Sequence, residues 1–267
     1  MRRKLANKRI LLTGASSGIG LALAGVLARR GARLLLTARR SESAVGLKER
    51  LPAESGEVIY LSGDITDPAH RDRLLDWVRE HWGGLDILIN NAGVGAVGPF
   101  ETGDEERLRR ILEVNFVSAA ELTRQALPWL RRGDRPAILN VGSVLGHRAV
   151  PYKSEYCASK FALHGWNDAL RLELAPHIDV LLISPSTTAT EFFDVLLAAE
   201  GPDARLRTRA MPASKVAETA ARALERGRRE VILTAGGKAL VWLDRLCPPL
   251  ADWMIGRALR GRSNESS

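Results

Sequence analysis

The chain has 267 residues, 45% of them hydrophobic and 26% charged, so it can bury a sizeable core and is not disordered in bulk. Lysine and arginine outnumber aspartate and glutamate by 39 to 31, for a formal charge of +8. The arginines are scattered as pairs, with no long basic run and no nucleic-acid motif, which argues against DNA or RNA and for an anionic small molecule or surface.

Two cysteines, Cys157 and Cys247, make no disulfide framework. No uninterrupted apolar stretch reaches the ~18 residues of a membrane span. The opening MRRKLANKRI leads into a strand-like run without a cleavage pattern, so no signal peptide is expected and a cytoplasmic setting is the default.

The first strand-like run, Ile10–Thr13, enters TGASSGIG, Thr13 to Gly20. Glycines at 14, 18 and 20 allow a tight turn and a close approach of backbone to a ligand. The helix they open, Ile19–Arg30, has a buried stripe of Ile19, Leu23, Val26, Leu27 and Ala28, and its N-terminus is suited to an anion. The spacing differs from G-x-G-x-x-G, and no G-K-[ST] ends it, so it is not a P-loop. The second run, Arg33–Thr37, is followed by Arg39 and Arg40 where an acidic residue would grip a ribose hydroxyl. An arginine there suits a 2′-phosphate and favours NADP over NAD, with Arg39 the first choice.

A third run, Glu57–Leu61, precedes Asp64 in GDIT, placed to meet an adenine. A helical period follows over Pro68–Trp82. The fourth run, Asp86–Ile89, ends in NNAG, Asn90 to Gly93, with polar groups and a glycine at the carboxyl edge of the sheet, where ligands bind. Two helical segments, Asp104–Val117 and Ser118–Arg132, lead to the fifth run, Ala137–Val141, and to Ser143 just beyond it. The helix Ser154–Ala175 carries Tyr156 and Lys160 one turn apart on one face. Runs at Asp179–Ile183 and Glu230–Leu233 flank a long mixed segment, 185–212, and a helix at Ala213–Arg226. Strands alternating with helices, apolar throughout rather than every second residue, predict a doubly wound parallel sheet covered on both faces.

The ordered set of TGASSGIG, NNAG, Asn115 in EVNF, Ser143 in NVGSV and YCASK from Tyr156 to Lys160 resembles the short-chain dehydrogenase/reductase family in its shorter, single-domain form, over roughly residues 5–233. The resemblance implies an α/β, doubly wound Rossmann-type sheet of about seven strands, in the order 3-2-1-4-5-6-7. It also implies NAD(P)-dependent interconversion of a carbonyl and an alcohol. Carried over position by position, Asn115, Ser143, Tyr156 and Lys160 are the catalytic residues. Cofactor contacts are expected from Thr13, Gly14, Ser16, Ser17, Gly18, Ile19, Gly20, Arg39, Asp64, Ile65, Asn91, Ala92, Gly93, Tyr156, Lys160, Pro185, Thr188 and Thr190. One departure stands out: PSTTAT, 185–190, has Ser186 where the family usually has glycine.

In this reading Tyr156 passes a proton to or from the substrate oxygen, and Lys160 lowers its pKa and holds the nicotinamide ribose. Ser143 hydrogen-bonds the substrate oxygen, and Asn115 binds a water linking Lys160 to solvent. Cys157 points away and packs. The five histidines show no metal-ligand spacing, so no metal is expected; His147 is read as loop or pocket mouth and His164 as a satisfied helix residue.

The expected domains are 1–235, catalytic with a substrate loop at 185–212, and a 236–267 tail. Phe192, Phe193, Leu196 and Leu197 suit a short helical lid over an apolar substrate. The tail reads as two amphipathic helices broken at Pro248-Pro249, which suit packing on the body or a second subunit first and peripheral membrane contact second. Family likeness implies a dimer or tetramer. The competing functions are an NAD-dependent alcohol dehydrogenase, a non-catalytic nucleotide sensor, and an epimerase or dehydratase; the tyrosine and lysine argue against the sensor, and the short chain against the last.

Overall fold

A computed structural model describes residues 2–40, 56–189 and 210–263. Its strands are β1 (Arg9–Thr13), β2 (Arg33–Ala38), β3 (Val58–Ser62), β4 (Ile87–Asn90), β5 (Ala137–Val141), β6 (Asp179–Ser184), the two-residue β7 (Thr188–Ala189) and β8 (Met211–Pro212), and β9 (Glu230–Ile232). Its helices are α1 (Gly18–Arg29), α2 (Pro68–Trp77), α3 (Glu105–Leu112), α4 (Ser118–Leu130), α5 (Ser154–Glu173), α6 (Ala213–Arg226), α7 (Ala235–Leu246) and α8 (Pro248–Ser263).

Seven strands form one parallel sheet in the order β3-β2-β1-β4-β5-β6-β9. This is the expected order, with the small β7–β8 pair inserted before the last strand. Side chains alternate across each strand. Ile10, Leu12, Leu34, Leu36, Ile87, Ile89, Leu139 and Ile183 meet α1 and α6 on one face. Leu11, Leu35, Leu88, Ile138 and Val180 meet α2, α4 and α5 on the other. Because both faces are covered, the inner strands are buried along nearly their whole length and mostly apolar; β3 and β9, at the edges, are less buried.

Two helices end differently from their sequence pattern. The segments 68–82 and 104–117 each finish in a π turn, Val78–Trp82 and Glu113–Val117, in which bonds run from i to i+5. The second π turn carries Asn115.

A buried amide chain then fixes α5 against the sheet. The Asn90 amide donates to Thr123 Oγ1 on α4 (3.0 Å) and to Asn140 Oδ1 on β5 (2.8 Å), and Asn140 donates to Asn167 Oδ1 on α5 (2.9 Å). Each bond contributes about 1 kcal/mol net, and losing one partner strands a buried amide at a larger cost. At the other end of α5, the buried Glu155 carboxylate accepts from Arg107 Nε (3.0 Å) and Nη2 (2.5 Å). The helix that carries Tyr156 and Lys160 is thus held at both ends by directional polar contacts rather than by greasy packing alone.

Candidate active site

Along the carboxyl edge of the sheet lies a cavity of about 830 Å³. Its first wall is the glycine turn. Gly14 has φ +65, and a Cβ there would lie 2.8 Å from the Ala92 Cα; a Cβ on Gly20 would lie 2.0 Å from the Gly14 carbonyl oxygen. Only glycine lets β1, the NNAG turn and α1 converge this closely. Ser17, at the N-cap of α1, makes no side-chain capping bond, and Gly18, Ile19 and Gly20 line the cavity. The first helical N–H groups of α1 therefore border the cavity without a side-chain cap over them.

Most of the expected cofactor residues line this space: Gly14, Ser16, Ser17, Gly18, Ile19, Gly20, Arg39, Asp64, Ile65, Asn91, Ala92, Gly93, Tyr156, Lys160, Pro185 and Thr188. Thr13 does not. Its buried hydroxyl lies beneath the floor, accepting from the N–H groups of Asn91 (3.0 Å) and Ala92 (3.1 Å), so it clamps one turn to the other. The Asn91 amide completes that clamp by donating to the carbonyls of Thr13 and Gly14, both at 3.0 Å. Thr190 and the lid residues Phe192, Phe193, Leu196 and Leu197 fall outside the described residues.

Among the described residues, five basic side chains line the cavity (Arg39, Arg40, Arg110, Lys153 and Lys160) against one acid, Asp64, so the space favours an anionic ligand. Arg39 and Arg40 are exposed at the end of β2, with Arg40 Nη2 3.4 Å from Ser16 Oγ. The Asp64 carboxylate is bound by Arg110 (2.6 Å) and by both the hydroxyl and the N–H of Thr66. Partial burial works against its ionisation, but these bonds together hold its pKa down at about 2. Sequence reading missed Arg110, which no motif marks.

At the centre of the cavity α5 presents Tyr156 and Lys160. Ser143, N-cap of the short 3₁₀ turn Val144–Gly146 after β5, is hydrogen-bonded to the Tyr156 hydroxyl. Lys160 is 5% exposed, its Nζ donating to the Val141 carbonyl (3.0 Å) and lying 5.7 Å from the Tyr156 ring centroid.

The pKa balance corrects one expectation. Burial pushes the Tyr156 phenol up to about 12, with the Ser143 hydrogen bond opposing, and burial pulls Lys160 down to about 8. In the chain alone, desolvation outweighs the lysine's expected pull on the phenol.

Asn115 lies in the π turn Glu113–Val117. It is buried and does not line the cavity. Its amide donates to the Val94 carbonyl and to Ser159 Oγ, both at 2.9 Å, and its oxygen accepts from the Val94 N–H at 2.8 Å. Ser159 Oγ donates in turn to the Tyr156 carbonyl (2.7 Å). The side chain ties the NNAG strand end to the turn of α5 that bears Tyr156.

Ser186 takes the usual glycine position without left-handed strain: among the described residues the non-glycine positive φ values fall at Asn7, Arg135 and Tyr152. Its hydroxyl instead meets Thr234 Oγ1 at 2.6 Å, and Thr234 caps α7 through the Gly237 N–H at 2.9 Å. The altered loop thus anchors the tail. Gly236, Gly237 and Leu240 of α7 and Ile255 of α8 line the cavity, joining Val94, Val97, Leu145 and Val150 in an apolar wall. Arg148, just past Ser143, holds both tail helices, pairing with Asp244 at 2.8 Å and with Asp252. The approach is close at Gly237, where a Cβ would lie 2.9 Å from Val144 Cγ2. Cys157 is buried, as expected of a packing residue; the His147 side chain is buried as well and lines no part of the cavity.

The family model for short chain dehydrogenases matches residues 8–201. An 11-beta-hydroxysteroid dehydrogenase A of Sesamum indicum is 32% identical over 263 residues, covering 94% of this chain and 75% of that one. A short chain dehydrogenase/reductase of Burkholderia phymatum, solved in complex with NAD, superposes with a TM-score of 0.84 at 25% identity, covering 93% of this chain and 96% of that one. A short chain dehydrogenase of Burkholderia cenocepacia J2315, solved with NADP, gives 0.77 at 30% identity, covering 88% and 100%. This chain belongs to the short-chain dehydrogenase/reductase family and is an NAD(P)-dependent oxidoreductase of that class. Among the described residues no helix is long and apolar enough to cross a membrane.

Proposed function

We propose that the protein interconverts a carbonyl and a secondary alcohol on an apolar substrate, with NADP(H) as the preferred cofactor. The observation that carries this reading is the Tyr156–Ser143 hydrogen bond beside the buried Lys160, where an anion-favouring half of the cavity meets an apolar half. When bound, the nicotinamide dinucleotide supplies or accepts the hydride.

The chain's own residues do the rest. The glycine turn and the N-terminus of α1 suit a pyrophosphate, and Arg39 with Arg40 suits a 2′-phosphate. Ser143 donates to the substrate oxygen and shares the charge that develops there. Tyr156, kept protonated by its raised pKa, gives its proton to that oxygen in reduction and takes one back in oxidation. Lys160, pulled down to about 8 yet still mainly charged at neutral pH, is the positive group next to the phenol and can hold ribose hydroxyls. Asn115 is a positioning residue for this helix turn.

The apolar wall built by Leu240, Ile255, Val97 and Val150 supports an apolar substrate, as does the likeness to a hydroxysteroid dehydrogenase. The outer faces of α7 and α8 expose Trp242, Leu246, Leu250, Trp253 and Met254, with Arg245 and Arg257 stacked on the two tryptophans. That composition supports peripheral contact with an anionic membrane. The exposed Phe161 and Leu172 on α5 support an oligomer through that helix.

The direct test is Tyr156→Phe assayed with NADPH and a panel of apolar ketones. Turnover should fall by about 10²–10⁴-fold while NADPH binding, followed by fluorescence, is kept. Undiminished turnover would remove Tyr156 from the chemistry.

A further inference from the structure

The fold brings together residues that sequence spacing kept apart. His147 follows the 3₁₀ turn after β5, His164 lies on α5, and Glu230 opens the edge strand β9. The two imidazole rings lie 4.2 Å apart between centroids, and His147 Nε2 is 3.2 Å from Glu230 Oε1. One ligating atom from each of the three lies within 4.8 Å of the others. None of the three lines the cavity described above.

Two further observations point to a ligand here. The His147 side chain is only 1% exposed; its Nε2 meets Ser184 Oγ at 2.9 Å, but its buried Nδ1 has no hydrogen-bond partner among the described residues. A neutral imidazole needs a partner for each nitrogen, and a buried one left over is costly. On the facing ring, His164 Nδ1 donates to the Gly146 carbonyl at 3.0 Å, which leaves the lone pair on Nε2, 3.5 Å from Asp168 Oδ2. Holding the second ring nitrogen by a backbone carbonyl is how metal-bound histidines are usually oriented.

We propose that His147, His164 and Glu230 form a binding site for a divalent transition-metal ion, with zinc the best match to two imidazoles and one carboxylate. Ligand atoms around a tetrahedral zinc lie about 3.4 Å apart, given bonds of about 2.1 Å. Closing from spacings of up to 4.8 Å requires shifts of about 1.4 Å or less, shared between the two rings and Glu230, whose side chain is 41% exposed. The nearby Arg245 guanidinium opposes a cation, so the site must gain more from its three ligands than it loses to that charge. The bound ion would join α5 and β9 to the turn that begins at Ser143. It is a structural or regulatory site, outside the lining of the cavity that holds the reacting groups.

The full-length protein, freed of metal with a chelator, is titrated with Zn²⁺ by calorimetry and by thermal unfolding. This is done in a Cys247→Ser background, because that exposed thiol is a competing ligand. The expected result is one equivalent bound with a rise in melting temperature, and binding weaker by about tenfold or more in Glu230→Gln or His164→Gln. Co²⁺ in place of Zn²⁺ should give a visible spectrum of nitrogen and oxygen ligation. Glu230 is half exposed, so its variant keeps the test open if His164→Gln does not fold. No uptake, or uptake undiminished in every folded variant, overturns the site.

Discussion

Lys160 carries a penalty that a single substitution should expose. Its ammonium is buried, and its pKa falls from 10.5 to about 8 for that reason. Below pH 8 the lysine is charged in both folded and unfolded chains, so the folded state bears the full cost. At about 1.4 kcal/mol per pH unit this amounts to about 3 kcal/mol. Between pH 8 and 10.5 the folded lysine gives up its proton first, and stability rises with pH as the penalty fades. Lys160→Met keeps the unbranched stem and removes the charge. It also leaves the Val141 carbonyl without its donor, a loss of about 1 kcal/mol. The variant should therefore be more stable than the parent by about 2 kcal/mol at pH 7, while losing activity. Above pH 10.5 the difference should reverse to about −1 kcal/mol, since only the lost hydrogen bond remains. Urea unfolding of both cofactor-free proteins at a series of pH values measures this directly; other titrating groups cancel in the difference. A variant less stable at pH 7 than at pH 10, relative to the parent, would refute the desolvation argument.

Three other outcomes are expected. Arg39→Ala should weaken NADPH relative to NADH by about tenfold or more, the worth of one charge-assisted bond to a phosphate; an unchanged ratio of binding constants would show that the residue does not select the cofactor. Arg148→Ala frees Asp244 and Asp252 and loosens the tail wall, so KM for apolar ketones should rise several-fold with NADPH affinity kept; an unchanged KM would mean that the tail does not shape the substrate end. Replacing both Trp242 and Trp253 by serine should abolish co-sedimentation with anionic liposomes while leaving turnover of soluble substrates intact; the membrane reading fails if the parent does not sediment either.

Much of the architecture was legible because its causes are local. A strand buried on both faces must be apolar wherever its side chains find no polar partner, and seven mainly apolar runs separated by helical periods imply a parallel sheet. The glycine turn was legible for the same reason, since Gly14 needs a positive φ and Gly20 leaves no room for a Cβ. The π turn at Asn115 was not: α and π turns share a composition, and which forms depends on how Asn115 reaches Val94 and Ser159 across the fold. Nor did any motif mark Arg110 or Arg148, whose partners lie 46 and 96 residues away along the chain.

The same division holds for the site. The order of residues along the chain determined the fold class, the family and which side chains would gather at the carboxyl edge of the sheet, because those follow from backbone constraints and short-range spacing. Tertiary structure alone decided the protonation balance of Tyr156 and Lys160, the tail as a wall of the cavity, and the meeting of His147, His164 and Glu230. Desolvation and convergence depend on what surrounds an atom in space, and the i,i+4 spacing of a tyrosine and a lysine carries no record of how much water the fold has taken from them.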